Sequence, residues 1–217
     1  MSKARIASIE TFRVIAVFAV ICIHATPFLK LEGYQPLGYV LRNACRFAVP
    51  FFFVTSGYFF GVSLRQGASL LPLLGRYLAR LWVLFLGWSF IYGVLPGGII
   101  KTIARDGFGA GWGAIHDQVA KTSQFILLHS FRFFMEGTQY HLWFFVALMM
   151  GLLVMSAVIW IKRQKYLLLI SSVLALAGFW VVNNVFFHIA LSRFFALGDT
   201  FFYSSLLVGL GGWLSGR

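Results

Sequence analysis

The sequence predicts an all-α fold, a polytopic transmembrane helical bundle of about six spans plus one interfacial amphipathic helix. Of the 217 residues, 60% are hydrophobic and 11% are charged, whereas an average soluble domain has about 25% charged residues. The apolar residues are grouped in runs long enough to cross a bilayer. The net charge is +12, and excess Lys and Arg commonly anchor loops to a membrane surface. Because no hydrophilic domain stands apart from these runs, we do not expect nucleic acid as a partner.

The predicted spans are separated by turn-forming or polar residues. They comprise residues 11–31, 43–63, 72–95, 140–161, 166–189 and 199–215. Residues 33–38 include Pro36 and two glycines, which predicts a turn between the first two spans. Pro50 lies inside the second span, where its missing backbone donor predicts a kink or a restart of the helix. Pro72 fits the first turn of the third span.

The least apolar region is residues 97–139, within which 119–134 predicts an interfacial helix. His129, Arg132 and Glu136 follow a helical spacing opposite Phe125 and neighbouring apolar residues. A short tilted span is the alternative, and it would reverse the orientation of everything after it.

The charges predict that the N-terminus is cytoplasmic. The short connection after the fourth span contains Lys162, Arg163 and Lys165, and short basic loops favour the cytoplasmic side. This orientation places Arg13 at the cytoplasmic edge and His24 toward the outer side.

Arg13 and His24 are the first candidates for chemistry. They are eleven residues apart in the first span, so a helix places them on one face and separates them by roughly 16 Å. A snorkelling arginine and an interfacial histidine would explain them structurally. The functional alternative is a site in which His24 acts as a base near neutral pH and faces the interior of the bundle.

Arg76 and Arg80 are the second candidates, one helical turn apart in the third span. They are either membrane anchors or a clamp for an anionic ligand, because guanidinium groups grip phosphates with fixed geometry. Further candidates for a substrate site are Arg46, Ser56, His141, Trp143 and Asp199. Each has a structural alternative, including a kinked helix at Arg46 to Ser56, an aromatic belt at Trp143 and a helix cap at Asp199. Cys22 and Cys45 have no metal-binding spacing and fit small hydrophobic positions.

An ordered set of motifs resembles the acyltransferase-3 family of integral membrane acyltransferases. The motifs are Ile9-Glu10-Thr11-Phe12-Arg13 with His24, the segment Cys45 to Tyr58, Arg76-Tyr-Leu-Ala-Arg80, His141-Leu-Trp-Phe-Phe, and Leu197 to Tyr203. They are most similar to the bacterial branch that O-acetylates surface polysaccharides, so we expect a multi-pass protein of the bacterial inner membrane.

The resemblance implies transfer of an acyl group, usually acetyl, from cytoplasmic acyl-CoA to a hydroxyl of a cell-envelope glycan or glycolipid. It implies that His24 is the essential histidine, with Arg13 as its motif partner, and that Arg76 and Arg80 lie on the donor side. No tightly bound cofactor and no metal are expected, and the sequence does not indicate an oligomeric state.

The family usually has further spans after the last motif, whereas this sequence stops at Arg217. We therefore expect a single membrane-embedded domain, residues 1–217, that is incomplete at its C-terminus. The alternatives to an active acyltransferase are a transporter or flippase-like protein, in which polar residues line a path, and an inactive truncated remnant.

Overall fold

The computed structural model describes residues 7–29, 31–162, 164–185 and 192–216, without the side chains of 7, 178–185 and 192–202. These residues form helices and connections and contain no strand, which confirms the all-α prediction. The helices are α1 Ala7–Ala25, α2 Gln35–Ala44, α3 Ala48–Arg65, α4 Leu70–Val94, α5 Ile99–Leu128, α6 Ser130–Glu136, α7 Trp143–Trp160, α8 Leu167–Val185 and α9 Ser192–Leu214. Short 3-10 helices at Cys45–Phe47, Tyr140–Leu142 and Gln164–Tyr166 precede α3, α7 and α8.

Four helical segments are long and apolar enough to cross a membrane, within the ranges that the structure describes. They are Ser8–Ala25, Gln35–Arg65, Leu70–Val94 and Tyr140–Trp160. Two shorter apolar helical stretches are Gln164–Ala177, which joins a 3-10 helix to the first part of α8, and Tyr203–Leu214 in α9. The chain is therefore a multi-pass membrane protein, and four of the six predicted spans are matched by helices of spanning length.

The first two spans differ from their predicted bounds because of prolines. α1 ends at Ala25, not near residue 31, since Pro27 disfavours helical backbone at the preceding residue and Thr26 has a φ of 45°. The predicted turn at 33–38 is also wrong in part, because α2 begins at Gln35 with Pro36 in its first turn. The second span is broken by the 3-10 helix Cys45–Phe47, as the kink predicted from Pro50 requires.

The prediction of one continuous helix over 119–134 is wrong. The backbone breaks at His129, which separates α5 from α6 with φ −133° and ψ 43°. Because of this break, the charged and aromatic side chains do not lie on opposite faces. The guanidinium of Arg132 lies over the ring of Phe125, 6.0 Å from its centroid. α5 itself consists of two helical segments joined at Gly107, whose φ of 84° is non-helical.

The segment α6 lies beside the middle of α4. The ring of Phe134 is 5.3 Å from that of Trp82, and Phe133 is 6.3 Å from Phe85. Glu136, the last residue of α6, is buried and its carboxylate accepts a 2.9 Å hydrogen bond from Arg132. This part of the predicted surface helix therefore packs against a membrane-spanning helix.

The last two predicted spans correspond to α8 and α9. Residues 186–189, at the end of the fifth span, lie outside the described residues. The sixth span was predicted to begin at Asp199 as a helix cap, which is wrong, because α9 begins at Ser192 and contains residue 199 in its interior. The side chain of Asp199 lies outside the described part of the chain.

The core is a seam in which α9 packs against α3, α7 and α8. Glycines let the backbones of α3 and α9 approach: a Cβ at Gly57 would collide with the carbonyl of Val208, and one at Gly61 with the hydroxyl of Ser215. From the other side, a Cβ at Gly211 would collide with the carbonyl of Val54. Gly57 and Gly61 are four residues apart, the small-residue spacing that brings membrane helices into close contact. α1 packs separately on α3 and on Cys45–Phe47, where free Cys22 and Cys45 lie in one apolar cluster.

Candidate functional site

Two histidines from distant parts of the chain meet at one end of the bundle. His24 lies in the last turn of α1, and His141 lies in the 3-10 helix that precedes α7. Their ring centroids are 5.1 Å apart with the planes tilted by 58°. His141 is half-buried, whereas His24 is exposed, so one side of the His24 ring contacts His141 and another side is open to an incoming group.

Tyr92 joins this pair from the last turn of α4. Its ring is 5.0 Å from that of His141 in an edge-to-face arrangement, with the planes at 86°. On its other side Tyr92 stacks on Trp88, at 5.7 Å and 28°. We name the group of His24, His141 and Tyr92 the histidine end. No sequence signal singles out Tyr92, because it is one of 8 tyrosines and belongs to none of the quoted motifs.

Arg13 lies near the opposite end of α1 and has two partners. Its guanidinium is 2.9 Å from the carboxylate of Glu10, one turn earlier in the same helix. It also lies over the ring of Phe59 in α3, 4.8 Å from the centroid. The first contact is exposed on both sides, so its energy is small. The second is a cation–π contact, which fixes the guanidinium against α3.

Arg76 and Arg80 are exposed side chains of α4 that lie near the same place. The phenol of Tyr77, between them in sequence, interacts electrostatically with Arg13, Arg76 and Arg80 and lies beside Ser63 of α3. The ring of Tyr77 packs edge-on against Phe60, 5.3 Å away. We name the group of Arg13, Arg76, Arg80 and Tyr77 the arginine end. Phe59 and Tyr77 are the residues of this end that sequence reasoning missed.

The two ends share two helices, α1 and α4. α1 contributes Arg13 and His24, and α4 contributes Tyr77 with its flanking arginines and Tyr92. Eleven residues of helix separate Arg13 from His24, a rise of about 16 Å. Since α3 also touches Arg13 through Phe59, the arginine end is held by α1, α3 and α4 together.

The other predicted site residues have different surroundings. Arg46 is exposed in the 3-10 helix before α3, and Ser56 is half-buried in α3. No hydrogen bond or ion pair joins either of them to His24, His141 or Arg13, all of which the structure describes. Trp143 packs into the core, with its ring 6.4 Å from Phe53.

The histidine end offers nitrogen bases and no cluster of metal ligands. Among the described residues, no group of three or more His, Cys, Asp or Glu side chains is placed to hold a metal ion. A neutral imidazole can accept a proton from a hydroxyl near neutral pH. The arginine end offers permanent positive charge, which suits a phosphate-bearing ligand.

Comparison with known proteins gives one family and one relative. A family model described as an acyltransferase domain matches residues 6–216. The chain is 28% identical over 179 residues to a protein of Enterococcus faecalis named amino-acid racemase, a match that covers 81% of this chain and 23% of that protein. The chain thus spans less than a quarter of that relative's length, and no solved structure matches it. Because the acyltransferase match covers nearly the whole chain, the protein belongs to the acyltransferase-3 family.

Proposed function

We propose that the protein transfers an acetyl or related acyl group from acyl-CoA to a hydroxyl of a cell-envelope glycan. The observation that carries this proposal is the separation of two chemically different ends along α1. A pair of imidazoles lies at one end, and three arginines that interact electrostatically with Tyr77 lie at the other. Family membership supports acyl transfer; the donor and the acceptor are inferred from the chemistry that each end can perform.

The arginine end is suited to the nucleotide part of the donor. Coenzyme A has several phosphate groups, and guanidinium groups bind phosphates through charge-assisted hydrogen bonds. Arg76 and Arg80 are exposed and thus able to meet a ligand from the aqueous phase. Arg13 is less free, because Glu10 and Phe59 hold it, so we assign it to orienting the ligand beside the other two.

The distance between the two ends fits the shape of the donor. The rise of α1 from Arg13 to His24 is about 16 Å, which is comparable to the extended pantetheine arm of coenzyme A. A donor with its phosphates at the arginine end could therefore present its thioester near His24. The acceptor hydroxyl would approach from the open side of the His24 ring.

At the histidine end, His24 acts as the general base. It takes the proton of the acceptor hydroxyl while that oxygen attacks the thioester carbonyl carbon. The new carbon–oxygen bond replaces the carbon–sulfur bond, and the proton goes from His24 to the departing thiolate of coenzyme A. His141 supports the ring of His24 at 5.1 Å. Acceptor contacts from Arg46, Ser56, Trp143 and Asp199 remain part of the proposal.

The proposed orientation places the arginine end at the cytoplasmic face of a bacterial inner membrane. The basic connection that begins at Lys162 supports it, as does the cytoplasmic origin of acyl-CoA. The histidine end then lies toward the outer face, where envelope glycans are found.

The test is acetyl transfer by the purified chain in lipid vesicles. Radiolabelled acetyl-CoA is added with bacterial envelope glycan, and ester-linked acetate is counted after alkaline release. We expect His24→Ala to lower the rate at least about 100-fold, the usual contribution of a general base. His116→Ala is the matched control, because His116 is an exposed histidine of α5, and it should retain the wild-type rate.

Equal rates for wild type and His24→Ala would contradict the role assigned to His24. A wild-type chain that releases no ester-linked acetate from any glycan fraction would contradict the acceptor class. Movement of glycan across the vesicle membrane without acetylation would favour the transporter alternative.

A further inference from the structure

The carbonyl end of α4 is capped by side chains that come from far along the chain. The last carbonyls of a helix have no partner within the helix, and in a bilayer each must be satisfied by protein. Gln118 Nε2 donates to the carbonyl of Tyr92 at 3.2 Å, and Thr122 Oγ1 donates to the carbonyl of Gly93 at 2.9 Å. Both donors belong to α5.

A third bond ties the connection after α6 to α4, about one turn before this helix end. Thr138 Oγ1 donates to the carbonyl of Ser89 at 2.8 Å. The neighbouring Gly137 has a φ of +70°, and a Cβ there would lie 2.6 Å from the hydroxyl of Ser89 and 2.8 Å from Leu142. This connection is therefore packed closely between Ser89 of α4 and Leu142, and these two neighbours fix its path.

These three bonds converge on the residues of the histidine end. Two of them hold the carbonyls of Tyr92 and its neighbour, and Tyr92 is the residue whose ring contacts His141. The third holds Thr138, three residues before His141 in the chain. His141 thus contacts the ring of Tyr92, whose own backbone is held by a hydrogen bond, and it follows closely on a stretch of chain that the side chain of Thr138 ties to α4.

We propose that Gln118, Thr122 and Thr138 form a polar cap that positions Tyr92 and His141, and through them the imidazole pair with His24. The cap residues are positioning residues, because they act through Tyr92 and His141. The effect of the cap on turnover rests on the proposed acyl transfer. The effect of the cap on the closeness of His24 and His141 does not rest on it.

Two readouts test the cap. The first is turnover of acetyl-CoA by the double variant Thr122→Val, Thr138→Val, which keeps side-chain volume and removes both donors. We expect turnover to fall about tenfold to 100-fold, as small misplacements of catalytic groups do, while the KM for acetyl-CoA stays at the wild-type value. Thr122→Ser with Thr138→Ser restores both donors and should restore turnover.

The second readout needs no activity. In a chain with Cys22→Ser and Cys45→Ser, the pair His24→Cys and His141→Cys is oxidised with copper–phenanthroline, and disulfide yield is measured by mass spectrometry. We expect a high yield when the cap is intact and a yield several-fold lower when both cap threonines are valine. Thr102→Val is the control, because Thr102 borders a separate surface cavity beside Lys101 and Arg105.

The outcomes separate the cap from the proposed function. Unchanged cross-linking in the valine double variant would overturn the cap, whether or not the chain transfers acetyl groups. A wild-type chain without transferase activity would contradict the proposed function, while the cross-linking result would still decide the cap. If the double variant does not fold in detergent, Gln118→Ala is measured instead, with exposed Gln124→Ala as its control, and an unchanged cross-linking yield again overturns the cap.

Discussion

The histidine end and the arginine end differ in how firmly their side chains are held. At the histidine end, rings from α1, α4 and the residues before α7 contact one another at 5.0 and 5.1 Å, and hydrogen bonds from α5 secure the helix that bears one of them. At the arginine end, Arg76 and Arg80 are exposed on α4, and Arg13 alone lies over an aromatic ring. The side chains of the histidine end are therefore held in place before a ligand binds, whereas the exposed arginines of the arginine end are free to adjust to a ligand.

This difference follows from what each end has to do. A reacting group must be held in a narrow range of positions, because its contribution falls steeply with misplacement. A phosphate site tolerates mobile partners, since long-range attraction still operates when a guanidinium shifts. The contrast predicts that substitutions at the histidine end change turnover and that substitutions at the arginine end change donor affinity.

The largest effect is expected at the histidine end. His141→Ala removes the ring that packs between His24 and Tyr92. Because the imidazole of His24 then loses its support, acetyl-transfer turnover should fall about 100-fold. Initial rates measured over a range of acetyl-CoA concentrations should show an unchanged donor KM. A raised KM with wild-type turnover would show that this end binds the donor, and the comparison between the ends would fail.

A smaller effect is expected from Arg76→Gln combined with Arg80→Gln. Hydrogen bonds to charged groups contribute about 1.5–3 kcal/mol each, so losing one or both should weaken acetyl-CoA binding by about tenfold or more. Equilibrium binding of acetyl-CoA to the chain in vesicles measures this directly. Arg42→Gln is the control, because Arg42 is an exposed arginine of α2; an equal loss in that variant would indicate a general charge effect.

The smallest effect is expected from the partners of Arg13. Phe59→Leu removes the cation–π contact, which is worth about 0.5–1 kcal/mol at an exposed site, and should weaken acetyl-CoA binding a few-fold. Glu10→Gln removes an exposed ion pair and should change binding less than about twofold. A larger effect from Glu10→Gln than from Phe59→Leu would show that the ion pair orients Arg13, contrary to the geometry.

Most of the helical architecture could be predicted from apolar runs and their end signals. α4 lies within two residues of its predicted bounds, because Pro72 and Pro96 flank a continuous run. The end of α1 was missed because the apolar stretch before Pro27 predicts a longer helix, so hydrophobicity does not mark where the helix ends. The break at His129 was missed because side-chain spacing stays regular across it, while the backbone does not.

The site was predictable where its residues are rare and not where they are common. His24, His141 and the arginines are costly to place in a membrane, which made them visible in the sequence. Tyr92, Tyr77 and Phe59 are hidden among 8 tyrosines and 25 phenylalanines. The bonds from Gln118, Thr122 and Thr138 depend on how α5 folds over α4, which no local pattern encodes.

The glycine seam between α3 and α9 has a consequence for how the protein is made. Ribosomes deliver α3 to the membrane long before α9, yet α9 supplies the surface that Gly57 and Gly61 are shaped to receive. During that interval α3, which holds the ring beneath Arg13, is inserted without its principal neighbour. The glycine face of α3 is therefore covered late in biogenesis, and the insertion machinery or lipid must occupy the seam until α9 displaces it.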